Sequence, residues 1–377
     1  MKIAVITFFQ SQNNYGQLLQ CYALQQVLHD LGHKPYLIRY GFHQQYFHWL
    51  KKKNFLTIAG LHTMYHKIKE VFFHGKKTSE RGFDDFRKKY LSKSSRCYNS
   101  LAELQHRPPK ADCYITGSDQ VWAQLLSKND NRSFFLDFGP DSIKRLSYAA
   151  SFAVDDYPSD LKGKLAEQLG RFDAISVRER TGVNICKSVG FDATLVLDPT
   201  LLLKADQYQK LIKKPSCSHY CFVYQVNVAS KEELCWDAFS DYNRKHGLSS
   251  VATFANPIYD VNMEFLDGAE YVYPSIGEWI GYVNNAEYVL TSSFHGVVFS
   301  LLFHKPFVVC LRKESMFAGN DRIITLLDAL NLSDRIMGVD RRTEEIIFHP
   351  IDWGKVDSAL NQKREESLGF LSNNLKR

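Results

Sequence analysis

Short apolar runs alternate with longer stretches of helical spacing along most of this 377-residue chain, and that alternation restricts the fold more than any other feature. Ile3 to Phe8 reads as a strand, a polar loop runs to Gly16, and Gln17 to Leu31 sets Leu18, Leu19, Tyr22, Ala23 and Leu28 at helical intervals. Gly32 stops that helix and Tyr36 to Tyr40 supplies the next strand, which completes one βαβ unit. Parallel strands need such crossovers, and open parallel sheets keep their ligands at the carboxyl ends of their strands. Further strands are predicted at 112–116, 146–150, 174–177 and 194–197. After Asp198-Pro199-Thr200 a polar, lysine-bearing run leads to Pro215. A second alternation follows: strand Tyr220 to Gln225, helix Glu232 to Lys245, strand Ser250 to Phe254, strand Tyr271 to Tyr273 and a helix after Ser275. A strand ending at Thr291, a helix through Phe303 and a strand at Phe307 to Leu311 complete it.

The expected fold is therefore α/β, with two Rossmann-like domains facing a cleft. Their limits are expected at 1–203 and 204–345, with residues 346–377, helical over Ile351 to Leu371, packing back across the first domain. The length agrees, since 377 residues exceed what one core ordinarily organises.

Residues 41–100 interrupt the regularity and read as a helical insertion in the first domain. Thirteen Lys or Arg against four acids give this stretch about +9, more than the +6 of the whole chain, so the remainder is slightly acidic. Phe47, Trp49, Leu50, Phe55, Leu56, Leu61 and Tyr65 are interleaved with the charges, as on amphipathic helices that lie on anionic membranes. The same pattern suits a solvated helical insertion packed on its own domain. No recognition motif accompanies the charge, so nucleic acid is not an expected partner.

The composition, 45% hydrophobic and 23% charged, is that of a globular chain, and no apolar run approaches the roughly 18 residues of a membrane span. The amino-terminal apolar run is too short for a signal sequence, so a cytoplasmic protein is expected. Eight scattered cysteines suggest reduced, buried thiols. Only Cys217-Ser-His219-Tyr-Cys221 has ligand-like spacing, and no second pair completes a metal site, so no metal is expected. There is no GxGxxG after the first strand, no GxxxxGKS and no GxSxG, which disfavours the common nucleotide-cofactor enzymes and hydrolases.

Four loops at predicted strand ends can converge on the cleft: Asn13 to Gln17, Thr116 to Trp122, Ser176 to Arg180 and Thr291 to Gly296. Gly16 and Gly117 permit close backbone approach, and helix starts attract phosphate or carboxylate groups, so an anionic ligand is the simplest expectation. His295 can move a proton near neutral pH or pair with an anion; a satisfied core histidine is the competing reading. Arg178 offers a planar fork for an anion, or a structural ion pair with Glu179 or another acid. Arg312 and Arg322 carry further positive charge near the same edge, or lie on the surface. Asp119 caps a helix or orients a sugar hydroxyl. Tyr148 and Ser151 suit strand core and cleft lining equally.

Taken together, Asn14-Tyr-Gly-Gln-Leu-Leu-Gln-Cys-Tyr-Ala-Leu24, Gly117-Ser-Asp-Gln-Val-Trp122, Ser147-Tyr-Ala-Ala-Ser151, Ser176-Val-Arg-Glu179, Asp198-Pro-Thr200 and Ser292-Ser-Phe-His-Gly296 with Lys305-Pro-Phe307 resemble the polysaccharide pyruvyl transferase family. Each motif is weak alone, but their shared order over roughly residues 1 to 330 is specific. The resemblance implies a glycosyltransferase-B-like fold that uses phosphoenolpyruvate and no cofactor, and sets a pyruvate ketal across two hydroxyls of a sugar in capsule or exopolysaccharide synthesis. It implies His295 as acid or phosphate partner, Arg178 as anion clamp, and Asp119 as base or hydroxyl orienter. Asn14, Gly16, Ser292, Ser293, Gly296, Arg312 and Arg322 would hold the donor, and Ser118, Gln120, Trp122 and Tyr148 the acceptor. Some members carry Arg two positions before the histidine, where this chain has Ser293; Arg312, Arg322 or the amides at Gly296 would take over its part. The expected partners are phosphoenolpyruvate, a lipid-linked sugar of the undecaprenyl-diphosphate type and the anionic inner face of the membrane. A nucleotide-sugar glycosyltransferase of the same shape and a non-catalytic sugar-binding protein are the alternatives.

Overall fold

The computed structural model describes residues 1–41, 81–123, 126, 129–255, 263–312, 319–338 and 343–376. Most of the basic stretch, including Lys51, Lys52 and Lys53, lies outside the described residues. In the first half, β1 (Lys2–Ile6), β2 (Lys34–Tyr40), β3 (Lys93–Tyr98), β4 (Cys113–Thr116) and β5 (Lys144–Ser147) form a parallel sheet in the order β3-β2-β1-β4-β5. Single bridges from Leu146 to Ala174 and from Ala150 to Val177 carry the pattern on to β6 (Ser176–Val177) and β7 (Thr194–Leu195). The helices that follow these strands include α1 (Tyr15–Asp30), α2 (Phe83–Tyr90), α3 (Leu101–His106), α4 (Lys162–Leu169), α5 (Arg180–Ser188) and the short α6 (Pro199–Leu202) and α7 (Ala205–Gln209).

The second half repeats the plan. Strands β8 (Tyr220–Val226), β9 (Ser249–Ala255), β10 (Glu270–Tyr271), β11 (Tyr288–Thr291) and β12 (Phe307–Val309) pair in parallel in the order β10-β9-β8-β11-β12. Between and after them come α8 (Trp236–Lys245), α9 (Ile276–Asn285), α10 (Phe294–Leu302), α11 (Asp321–Ala329), α12 (Thr343–Phe348) and α13 (Trp353–Asn374). The α9 start is fixed by a capping box in which Ser275 and Glu278 satisfy each other's backbone N–H.

The central strands of each five-stranded sheet are buried on both faces, as parallel sheets require. Along β1, Ile3 and Val5 join one core cluster and Ala4 and Ile6 another, because successive side chains point to opposite faces. The cluster containing Ile3 continues without a break into the second half through Tyr15, Leu201, Tyr208, Trp279 and Phe299. At this joint the rings of Tyr15 and Trp279 stack at 5.3 Å and 11°. The buried Arg81 Nη1 donates to the Phe254 carbonyl (3.0 Å) and the Tyr15 hydroxyl (3.3 Å), which itself donates to the Pro274 carbonyl (2.8 Å). Helix α13 begins against the second half, where Trp353 stacks on His304 at 4.8 Å. It ends against the first, where Lys144 Nζ donates to the Asn374 carbonyl (2.9 Å) and the Leu197 amide to Ser367 Oγ (2.9 Å).

Several expectations are corrected. The stretch 41–100 is not wholly a helical insertion, since Lys93–Tyr98 is the edge strand β3; its polar, largely solvent-facing side chains lack the apolar alternation of a half-buried strand. The strand expected to Ala150 stops at Ser147, and Ala149 takes φ 50°. The helix expected from Glu232 is broken at Cys235, which has φ 52°. Cys97 is exposed rather than buried, because it lies on that edge strand.

Candidate functional site

A cleft of about 280 Å³ lies between the carboxyl edges of the two sheets. Its first wall comprises Ser11, Asn13, Asn14, Gln17, Asp119 and Gln120, from the loops after β1 and β4. Facing these are Asn227, Ser292, Ser293, His295, Arg312 and Arg322, which follow β8, β11 and β12. Two helix amino termini open onto it. Asn14 caps α1 by accepting from the Gln17 amide (3.2 Å), and Ser293 caps α10 by accepting from the Gly296 amide (3.4 Å). Neither helix has an acidic residue in its first turn, so the positive ends of both dipoles remain uncompensated there.

The two helix starts touch. A Cβ built on Gly16 would lie 2.0 Å from Nδ1 of His295, so only glycine lets the imidazole rest on the start of α1. Gly296 answers a different need: a Cβ there would lie 2.3 Å from Thr291 Oγ1, which ties the first turn of α10 to the end of β11. Ser292 Oγ accepts from the Val226 amide (2.8 Å) and donates to the Val226 carbonyl (3.1 Å), holding the same loop to β8.

The first wall is organised around a carboxylate that the motif reading did not place in the site. Asp198 is 1% exposed and caps α6. Its Oδ1 accepts from the Thr200 amide (3.0 Å) and Thr200 Oγ1 (2.6 Å), and its Oδ2 from Ser118 Oγ (3.0 Å) and Arg178 Nη1 (2.7 Å). His295 Nε2, from the opposite half, lies 3.7 Å from Oδ1, within ion-pair reach but beyond a hydrogen bond. Burial alone would raise the Asp198 carboxyl, but His295, Arg178 and Thr200 outweigh it and hold the group well below the usual carboxylate range. Asp198 is therefore a carboxylate at any ordinary pH.

Arg178 is bound up in the same network. Besides Asp198 it reaches Asp119 Oδ1 through Nη2 (3.4 Å), and its guanidinium stands 5.2 Å from the Phe294 ring centroid. Burial opposes its charge, yet Asp198 and Asp119 more than restore it and raise its pKa. The structure thus places Arg178 in a structural ion pair, with Asp198 and Asp119 rather than Glu179, whose Oε1 accepts the Phe152 amide (2.8 Å). Asp119, at φ 75°, also accepts from the Gln120 amide (2.8 Å) and from Gln17 Nε2 (3.4 Å).

The second wall is different. Among the described residues neither Arg312 nor Arg322 has a carboxylate within 4.0 Å, and the Nε of each is buried with no hydrogen-bond partner. Burial, then repulsion from Arg178 and Arg312, lowers the pKa of Arg322 to about 9. Burial lowers Arg312 as well. Two arginines with unpartnered buried Nε atoms and two positive helix ends give this cleft an electrostatic bias toward negative charge. Among the described residues, no group of His, Cys, Asp or Glu is arranged to hold a metal ion.

Of the other expected site residues, Ser118 is sealed beneath Asp198 and Gln120 lines the cleft. Trp122 and Tyr148 do not line it. Trp122 stacks on Phe135 at 5.1 Å with its Nε1 donating to the Phe134 carbonyl, and Tyr148 donates its hydroxyl to the Leu197 carbonyl from within the core. Both sit just past a strand end, and the sequence does not tell which face such a side chain takes. Asp198 escaped for a related reason: its partners Ser118 and His295 are far away in the chain, and nothing beside Asp198-Pro-Thr200 points to them.

Two parallel α/β domains with a cleft between their carboxyl edges define a fold of the glycosyltransferase-B type, and solved structures bear out that fold. UDP-GlcNAc 2-epimerase from Methanocaldococcus jannaschii aligns with a TM-score of 0.52 and 9% identity, over 96% of this chain and 92% of that one. UDP-N-acetylglucosamine 2-epimerase from Rickettsia bellii aligns with a TM-score of 0.50 and 11% identity, over 99% and 97%. At such identities the likeness is one of fold. No curated protein sequence matches the chain. The family model of the polysaccharide pyruvyl transferases matches residues 14–314, most of the chain, which therefore belongs to that family and is a transferase.

Proposed function

We propose that this transferase takes the pyruvyl group of phosphoenolpyruvate and sets it as a ketal on two hydroxyls of a sugar during surface polysaccharide synthesis. The observation that supports the donor is the pair of arginines beside the start of α10, Arg312 and Arg322, whose buried Nε atoms have no hydrogen-bond partner among the described residues. Phosphoenolpyruvate carries a phosphate and a carboxylate, which together match two arginines and two helix ends better than a neutral ligand would. In the reaction, C3 of the enol takes a proton from His295 and C2 becomes oxocarbenium-like. One sugar hydroxyl adds to C2, the C2–O bond to phosphate breaks with its electron pair, and the second hydroxyl closes the ketal. One hydroxyl proton returns to His295 and the other leaves with phosphate, so the enzyme ends as it began. Positive charge fixed in advance around the departing phosphate supplies the electrostatic part of the catalysis. Asp119, on the opposite wall, orients the acceptor hydroxyl whose proton leaves with phosphate in this reading.

The acceptor reading rests on the sequence: the basic, aromatic stretch within 41–100 suits a membrane surface and hence a lipid-linked sugar. Among the described residues no helix is long and apolar enough to cross a membrane. Replacing Lys51, Lys52 and Lys53 with Glu should then weaken binding to phosphatidylserine vesicles; unchanged binding rejects the membrane part. For the donor, melting is followed with phosphoenolpyruvate and with UDP-sugars, and phosphate release is followed with and without galactose-type acceptors. Stabilisation by phosphoenolpyruvate that Arg322→Met abolishes is the expected result. Stabilisation by UDP-sugars alone would turn the reading to a nucleotide-sugar glycosyltransferase, and full function of His295→Ala in cells would turn it to a sugar-binding protein.

A further inference from the structure

His295 lines the cleft with its two ring nitrogens in different surroundings. Its Nε2 is buried, has no hydrogen-bond partner among the described residues, and looks across the domain joint at Asp198 Oδ1 from 3.7 Å. Nδ1 lies on the other side of the ring, beside Gly16 at the start of α1, and the residue as a whole lines the cleft. A neutral imidazole carries one N–H, and a negative charge beside one nitrogen favours the tautomer with the hydrogen on that nitrogen. Asp198 is acceptor-only when ionised, and its four other partners hold it in one orientation.

The geometry points to Asp198 as a positioning residue that fixes the Nε2–H tautomer of His295 across the joint, leaving Nδ1 as the nitrogen that exchanges a proton with the ligand. For the transfer step this rests on the phosphoenolpyruvate reading above; the tautomer itself does not. In that step the Nδ1–H bond of the imidazolium breaks with its electron pair staying on nitrogen. The proton bonds to C3 of the enol, and the ring is left neutral with its proton on Nε2 facing Asp198. The carboxylate is never protonated, so its work is orientation and charge, the same division of labour by which a buried acid serves the histidine of a serine protease.

The test is a pair of ¹⁵N-histidine spectra of the full chain, with the His295 signals assigned by their loss in His295→Gln. Two-bond ¹H–¹⁵N couplings recorded where the ring is neutral should show Nε2–H in the wild type. Asp198→Asn keeps the shape but cannot keep the pattern. Arg178 demands the amide oxygen on its side, so the amide NH₂ turns to His295 and the ring should switch to Nδ1–H. With phosphoenolpyruvate and acceptor, Asp198→Asn should lower kcat by about 10²–10⁴ while KM for phosphoenolpyruvate moves less than about threefold, as for a lost acid. A wild-type ring that is Nδ1–H, or a tautomer unchanged in Asp198→Asn, overturns the assignment. Should Asp198→Asn not fold, the wild-type spectrum alone decides. Should phosphoenolpyruvate not be turned over at all, the donor reading fails while the tautomer is still read directly.

Discussion

The two walls of the cleft are built on the same strand plan and are electrostatic opposites. On the first, Arg178 is shared between Asp198 and Asp119, and Ser118 and Thr200 complete the remaining acceptor positions. On the second, Arg312 and Arg322 form no ion pair among the described residues, and the Nε of each is buried without a hydrogen-bond partner. A wall that neutralises itself contributes shape and stability; a wall that does not keeps its positive charge uncompensated. Reading pairing this way separates the arginine bound into the protein's own network from the two without a carboxylate partner, although all three sit at strand or helix ends and look alike in the sequence.

The largest test of that contrast is Arg178→Ala, which leaves the Asp198 carboxylate buried without its cation. Unfolding in urea should show a loss of about 3–5 kcal/mol, the usual penalty for orphaning one member of a buried pair. Arg322→Met should behave in the opposite sense: measured without ligand, it should be as stable as the wild type or more so, by up to about 1–3 kcal/mol, because a desolvated polar group with no partner is removed. A large loss from Arg322→Met would erase the distinction between the walls. Gly16→Ala should cost about 1–3 kcal/mol, since the new methyl drives His295 off the start of α1. Its activity should fall further than its melting temperature suggests, and full activity would mean that the ring does not work from that position.

The smallest effect is a pH dependence. With its folded pKa lowered to about 9, Arg322 holds its proton less well in the folded than in the unfolded chain. Between about pH 9 and the ordinary arginine range the unfolded state therefore binds more protons, and the wild type gains stability relative to Arg322→Met as pH rises through that window. Below it the difference between the two is constant. Urea midpoints of both proteins at pH 8 and pH 10 read the sign directly, and a gap that widens in the variant's favour at pH 10 would contradict it.

Much of this was legible in the chain. The βαβ alternation marked nearly every strand of both sheets, because parallel strands buried on two faces must be short apolar runs, and β3 was missed because an edge strand escapes that demand. Asp119 and His295 line the cleft and Gly16 packs on His295, because a strand end followed by a helix is where a parallel sheet turns its side chains toward a crevice. What could not be read was pairing. Nothing local to Arg178 distinguishes a guanidinium held by Asp198, 20 residues on, from one left open, and nothing near Trp122 tells that its ring turns inward onto Phe135. Such facts arise only when distant segments meet, and Asp198, whose partners come from three stretches of chain and both halves, is the extreme case.

Helix α13 carries a mechanical consequence. Its 22 residues make a rod of about 33 Å that is pinned to one half at Trp353 and to the other at Ser367 and Asn374. With the chain's earlier passage at 203–219, this gives the molecule two crossings between its halves. Because His295 and Asp198 belong to opposite halves of this doubly crossed body, the 3.7 Å between imidazole and carboxylate is set by how the halves are held together, and α13, which is no part of the cleft lining, takes part in setting it.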